Sequence, residues 1–226
     1  MKRLLSILLC LFLLCPVDAR AEAGTVALTF DDGPSGRFTR ALLEGLEQRQ
    51  VKATFLLCGY RLKDYPEEAK QILAQGHEIG LHGYSHDPMD KMSRRELERE
   101  LKDNLALLPA GCKPVFLRAP GGACSQTVRN TAGDFGLAVL NWSVDPRDWA
   151  TRDAGATTAM VIDNVRDGDV VLLHDMTDSS VEAALAIIDK LKAQGFRFVT
   201  VSELARQKGV TIEPGKEYFR FEEETK

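Results

Sequence analysis

The amino-acid sequence predicts a parallel α/β fold: a closed or nearly closed TIM-barrel-like (β/α) barrel in a single domain. Three observations carry that expectation. Seven short apolar runs alternate with segments of helix length between Thr25 and Val201. No Gly-x-Gly-x-x-Gly turn follows any of the runs, so the usual mark of a doubly wound nucleotide-binding sheet is missing. Most of the runs stop abruptly at charged or histidine-bearing clusters, as strands do where they deliver groups to one face of a barrel.

The strand candidates in order are Val26–Phe30, Ala53–Cys58, Glu78–His82, Val115–Arg118, Ala138–Val144, Val170–His174 and Arg197–Val201. Ser93 with Glu96, and Ser179 with Glu182, have the spacing of a capping box at a helix start. Val181, Leu185, Ile188 and Leu191 then recur at helical spacing, a core-facing stripe. Residues after Val210 are polar and read as a tail, so the fold is expected over 24–210 with a tail over 211–226.

The first residues have a different character. Lys2 and Arg3 precede an apolar run from Leu4 to Cys15, followed by Pro16 and small residues up to Ala23, the order of a secretory signal peptide. The run is about twelve residues, too short to span a bilayer comfortably. Cleavage could follow Ala19, Ala21 or Ala23, and Leu14 before Cys15 speaks against a lipoprotein signal. Residues 1–23 are therefore expected to be removed on export, leaving no stable membrane span, with an uncleaved anchor as the minor alternative.

The chain has 226 residues, 44% hydrophobic and 27% charged, enough for one soluble domain with a large core. A formal charge of -4 without a basic cluster argues against a nucleic-acid partner. Cys58, Cys112 and Cys124 remain after export, an odd number; Cys112 and Cys124 could pair, and no Cys-x-x-Cys suggests a thiolate zinc site.

The chemistry lies just past the strands. Asp31-Asp32-Gly33-Pro34 follows the first, His82-Gly83-Tyr84-Ser85-His86 the third, Arg118-Ala119-Pro120-Gly121-Gly122 the fourth, Asp145-Pro146-Arg147-Asp148-Trp149 the fifth and His174-Asp175 the sixth. In a parallel barrel these groups converge on one face. Adjacent carboxylates repel, so Asp31 and Asp32 call for a metal, an arginine or a proton. His82 and His86 are four residues apart, a spacing that suits one zinc ion, and two histidines with one aspartate leave a coordination position open for water. His77 lies before its strand and reads as structural.

In that order, Thr-Phe-Asp-Asp-Gly-Pro, His-x-x-x-His, Arg-x-Pro-x-Gly, Asp-x-x-Asp-Trp and Leu-Leu-His-Asp resemble the motifs of the NodB-homology polysaccharide deacetylases, carbohydrate esterase family 4. The resemblance covers about residues 24 to 208. It implies a distorted (β/α) barrel of about seven strands and metal-dependent removal of acetyl groups from sugars. Asp32, His82 and His86 would be the metal ligands and Asp31 the general base, ionised beside Arg118. His174 would be the general acid, oriented by Asp145. The Gly121 N–H would serve the oxyanion, and Leu172 and Trp149 would line a pocket for the acetyl methyl. One divalent ion is implied, zinc first, with cobalt, nickel or manganese according to supply.

The expected protein is thus a monomeric, exported envelope enzyme acting on an N-acetylated polysaccharide, peptidoglycan first. Chitin oligosaccharide or O-acetylated xylan are the alternative substrates, and a non-catalytic wall-binding protein is the rival from another class. Three departures from the family pattern bear on the groove. Gly83 stands where Ser or Thr is usual and implies a looser loop. Asp87 is inserted before Pro88. Gly121 replaces an aromatic and removes one wall of the groove. Cys58 and Cys124 are expected near that groove.

Overall fold

The computed structural model describes residues 23–223. The export signal lies almost wholly outside the described residues. The strands are β1 (Gly24–Asp31), β2 (Thr54–Leu57), β3 (Glu78–Leu81), β4 (Phe116–Leu117), β5 (Ala138–Leu140), β6 (Val170–His174), β7 (Phe196–Phe198) and β8 (Glu217–Tyr218). The helices are α1 (Arg37–Gln48), α2 (Gly59–Asp64), α3 (Pro66–Ala74), α4 (Arg94–Leu105), α5 (Gln126–Asp134), α6 (Asp148–Thr151), α7 (Ala154–Asn164), α8 (Asp178–Gln194) and α9 (Val201–Gln207). Among the described residues, no helix is long and apolar enough to cross a membrane.

The strands form one curled parallel sheet in the order β6-β1-β2-β3-β4-β5-β8, with β7 added beside the start of β1. β1 reads Gly-Thr-Val-Ala-Leu-Thr-Phe-Asp and is buried on both faces beyond its first residue, as a central parallel strand covered by helices must be. Period-two alternation sorts its residues. Leu28 and Phe30 face outward with Phe55, Leu57, Val171 and Leu173, packing under α1, α3 and α8. Ala27 faces inward with Leu56, Phe116, Ala138, Leu140 and Val170, where Val201 and Leu204 of α9 fill the end of the barrel. Burying each such Leu, Ile, Val or Phe side chain contributes about 1.5–3 kcal/mol.

The same alternation sets the site. Asp31 continues the inward row of Ala27 and Thr29, Arg118 that of Phe116, and His174 that of Val170 and Leu172.

The barrel is distorted at one seam. β5 has β4 on one edge and β8 on the other, so β6 cannot pair with it directly. The chain reaches β6 only past Leu140, where Val144 makes an isolated parallel bridge to Val171 and its carbonyl accepts from Leu172 N–H at 2.9 Å.

Three sequence expectations are corrected here. Residues 211–226 are not a mere polar tail: Glu217 and Tyr218 pair in parallel with Val139 and Leu140, and Tyr218 and Phe221 are buried. The last strand of the seven ends at Phe198, because Thr200 caps α9, its side chain accepting from Glu203 N–H. Of the two capping boxes, Ser93–Glu96 forms, whereas α8 starts earlier, with Thr177 as its cap and Ser179 inside the first turn. The Val181, Ile188 and Leu191 stripe is buried as its spacing indicates.

Candidate active site

β1 delivers Asp31 into the barrel and Asp32 just beyond it. Arg118, fully buried, spends its fork on four acceptors: Asp31 Oδ1 at 2.6 Å and Thr29 Oγ1 at 2.8 Å from Nη1, Leu140 O at 3.1 Å from Nε, and Asn141 O at 2.8 Å from Nη2. Burial pushes the guanidinium pKa down while the Asp31 charge and hydrogen bond oppose it. Such a buried ion pair is tolerable only because nearly every donor is satisfied. The sequence expectation that Arg118 faces Asp31 matches this geometry.

Asp32 turns the chain with a left-handed φ of 71°. Its Oδ1 lies 3.3 Å from His82 Nε2 and 3.0 Å from His86 Nε2. Burial pushes the carboxyl up, but hydrogen bonds to His82 and His86 and the His82 and His174 charges outweigh it, holding Asp32 well below the usual carboxylate range.

One ligand atom from each of Asp32, His82 and His86 lies within 4.8 Å of the others, compatible with a single ion. His82 Nδ1 is 2.8 Å from the Arg118 carbonyl, which can only accept, so Nδ1 carries a proton and Nε2 is the nitrogen left to face Asp32 and an ion. Asp32 Oδ1 is buried without another partner. A carboxylate oxygen left without a full donor, facing oriented imidazole nitrogens, is what a divalent ion requires.

The turn after Asp32 is packed from below. A Cβ on Gly33 would meet Asp175 Oδ1 at 2.7 Å, so only glycine fits there. Asp175 is fully buried; burial pushes its carboxyl up to about 6, with the Thr39 hydrogen bond opposing. Thr39 Oγ1 donates to Asp175 Oδ2, and Ser35 Oγ to its backbone carbonyl.

The His82–His86 loop is not loose. Gly83 has φ 77°, and a Cβ there would meet Met89 Cε at 2.7 Å, so glycine suits this packing. Glu100 of α4 accepts the N–H groups of Tyr84 and Ser85 at 2.7 and 2.9 Å, and Asn104 donates to the Gly83 carbonyl. The inserted Asp87 is accommodated where His86 takes φ 67° and Asp87 N–H bonds Ser85 Oγ at 3.1 Å.

His174 ends β6 opposite Asp31. Its Nδ1 lies 2.8 Å from Asp148 Oδ1, and its N–H donates to Asp148 Oδ2 at 3.0 Å. The expected partner, Asp145, is not the one that orients it. Asp145 Oδ1 instead accepts from Arg147 N–H at 2.8 Å, and Arg147 takes a left-handed φ of 54°. That turn swings the next carboxylate, Asp148 in the first turn of α6, beneath the imidazole. Burial pushes the imidazole pKa down, but the Asp148 hydrogen bond and the Asp31, Asp148 and Asp32 charges raise it to about 9. The Asp-x-x-Asp spacing contained Asp148, but nothing in it told the two carboxylates apart.

All these groups open on a cavity of about 360 Å³. Asp31, Asp32, His82, His86 and His174 form its polar side; Trp142, Trp149 and Leu172 form an apolar side, with Gly121 and Asp145 at its edge. Gly121 has φ 66° and nothing within 4 Å of a would-be Cβ, so this edge stays open. Trp142, which the sequence reading passed over, takes part in the wall; its ring packs so close to Gly122 that a Cβ there would lie 2.7 Å away. Neither Cys58 nor Cys124 lines the cavity; Cys58 is buried with Sγ toward the His82 carbonyl, and all three described cysteines are free thiols. His77 is structural: it is buried, and its Nδ1 accepts from Ala53 N–H at 3.2 Å.

Fold and pocket together define a distorted parallel α/β barrel with a carboxylate–imidazole site at the carboxyl ends of its strands. Comparison with known proteins agrees. A family model described as polysaccharide deacetylase matches residues 18–140. The chain is 41% identical over 189 residues to a peptidoglycan-N-acetylglucosamine deacetylase of Bacillus cereus, covering 81% of this chain and 89% of the relative. It is 38% identical over 196 residues to the peptidoglycan-N-acetylglucosamine deacetylase PgdA of Listeria monocytogenes, covering 86% of this chain but only 41% of that relative. A solved family 4 acetyl xylan esterase from Clostridium thermocellum, in complex with a cobalt ion, superposes with a TM-score of 0.81 at 36% identity, over 87% of this chain and 98% of that one. The chain belongs to the polysaccharide deacetylase family, the NodB-homology group.

Proposed function

We propose that this chain is an exported, metal-dependent deacetylase that hydrolyses N-acetyl groups of an envelope polysaccharide, peptidoglycan first, and releases acetate. The observation that carries the reading is the division of labour in one cavity: Asp31 bonded to Arg118 on one side, His174 bonded to Asp148 on the other, and Asp32, His82 and His86 between them. The B. cereus and L. monocytogenes relatives, named for peptidoglycan, support the substrate class. The apparent leader at residues 1–23 supports export.

A divalent ion held by Asp32, His82 and His86, zinc first, would supply a Lewis acid for the acetyl carbonyl and for the attacking water. Asp31 Oδ1 is committed to Arg118, which leaves Oδ2 to take the proton of that water. The Gly121 N–H, at the edge of the cavity, would serve the oxyanion as a main-chain donor. Leu172 and Trp149 take the acetyl methyl. His174 Nδ1 is fixed by Asp148, so Nε2 delivers the proton that lets the sugar nitrogen leave as an amine.

The test is acetate release by the chelated and re-loaded protein from peptidoglycan, chitin oligomers and O-acetylated xylan. Release from peptidoglycan that depends on added ion is expected, with loss in Asp31→Asn and in His82→Ala. Activity surviving both substitutions overturns the mechanism, and release from xylan alone overturns the substrate.

A further inference from the structure

The segment that reads as a tail reaches the proposed base through three residues. Asn141 follows the last paired residue of β5 and is 4% exposed. Its N–H donates to Tyr218 O at 2.7 Å, and its Nδ2 donates to Glu217 Oε1 at 2.7 Å, both in β8. Its carbonyl accepts from Arg118 Nη2 at 2.8 Å, while the preceding carbonyl, of Leu140, accepts from Arg118 Nε at 3.1 Å. Successive carbonyls of a regular strand point to opposite edges. Two consecutive carbonyls can converge on one guanidinium only if the backbone bends between them, and β5 indeed ends at Leu140.

β8 holds that bend from two sides. Backbone pairing alone would already add the strand to the sheet edge. The Glu217 side chain does more: one oxygen takes the Asn141 amide, and the other lies 3.3 Å from Arg129 Nη1 of α5, which ties the carboxylate to a second element. The remaining nitrogen of the same guanidinium, Nη1, holds Asp31 at 2.6 Å.

We propose that Glu217 and Asn141 are positioning residues for Asp31: β8 fixes the bend at Leu140–Asn141, the bend fixes the Arg118 guanidinium, and the guanidinium aims the carboxylate. The kinetic half of this proposal rests on the reading of Asp31 as the base.

The test compares Glu217→Ala and Glu217→Gln in the full, ion-loaded chain. Gln keeps the oxygen that accepts from Asn141 but loses the charge facing Arg129. Glu217→Ala is expected to lower kcat about tenfold with KM nearly unchanged, and Glu217→Gln to restore most of it, since a displaced reacting group costs rate rather than binding. Asn141→Ala is expected to repeat the loss, and the double variant to add nothing to it. This second variant keeps the question open to experiment if Glu217→Ala folds poorly. A readout independent of catalysis is hydrogen exchange at Arg118 Nε–H followed by NMR. It is expected to quicken in Glu217→Ala and to remain slow in Glu217→Gln. Unchanged kcat and unchanged exchange, with only a lower Tm, overturn the proposal, as does equal loss in the Ala and Gln variants. Absence of acetate release from the parent protein overturns the function above instead, and the exchange measurement still decides the positioning role.

Discussion

Asp145 and Asp148 differ only in where a left-handed residue between them sends the chain, and the chemistry follows the turn. With Asp148 bonded to Nδ1, His174 carries its proton up to about 9 against an ordinary 6.5. The folded-state value is raised, so the stabilisation it brings is fully present below 6.5 and is lost as pH rises through about 9. A general acid works only while protonated, so the basic limb of the rate profile is expected near 9. Asp148→Asn should draw that limb down toward the ordinary imidazole value and lower kcat about a hundredfold. Asp145→Asn should leave the limb where it is; a pH–rate series on both variants separates them. Arg118 presents the complementary case, a buried charge whose removal leaves Asp31 unpaired. Arg118→Met is expected to lose about 3–5 kcal/mol in urea denaturation, and Arg118→Lys to recover little of it, because a point charge cannot span four acceptors set by a planar fork.

At the scale of elements, the site is held by helices that contribute no group to the chemistry. α4 is the clearest instance: it starts with a Ser93–Glu96 capping box legible in the sequence, then turns Glu100 and Asn104 under the histidine loop. The expectation of a loose loop at Gly83 came from the identity of one residue. The loop is ordered by two side chains seventeen and twenty-one positions away, a separation no local pattern reports. Glu100→Ala should weaken binding of the divalent ion about tenfold, because groups behind the ligands set their orientation; competition with a chromogenic chelator measures this without any turnover. The strands themselves were legible for a plain reason. Buried parallel strands are short, unbroken apolar runs, and polar groups at their carboxyl ends stand out against them.

For the whole molecule, the seam between β5 and β6 is the distinguishing feature. β8 occupies the edge that a regular barrel would use for closure, so the β5–β6 side closes through Ser143 and Val144, whose N–H groups both bond the Val170 carbonyl, at 3.0 and 3.2 Å. A chain ending at Val210 would lose β8 with the buried Tyr218 and Phe221, each worth about 1.5–3 kcal/mol of burial. A markedly lower Tm by circular dichroism is expected, along with exposure of the β5 edge.

Taken by itself, the sequence determined the class of fold, the face on which the chemistry gathers, and the residues Asp31, Asp32, His82, His86, Arg118 and His174 on that face. Period two and the abrupt ends of apolar runs are local properties, and they survive folding unchanged. Tertiary structure alone decided which carboxylate supports His174, what keeps the Gly83 loop in place, and that residues beyond Val210 complete the sheet. Each of these depends on contacts between segments distant along the chain or on the sign of one φ angle. A two-residue strand such as Glu217–Tyr218 has no pattern of its own. It exists because β5 leaves an edge open beside it.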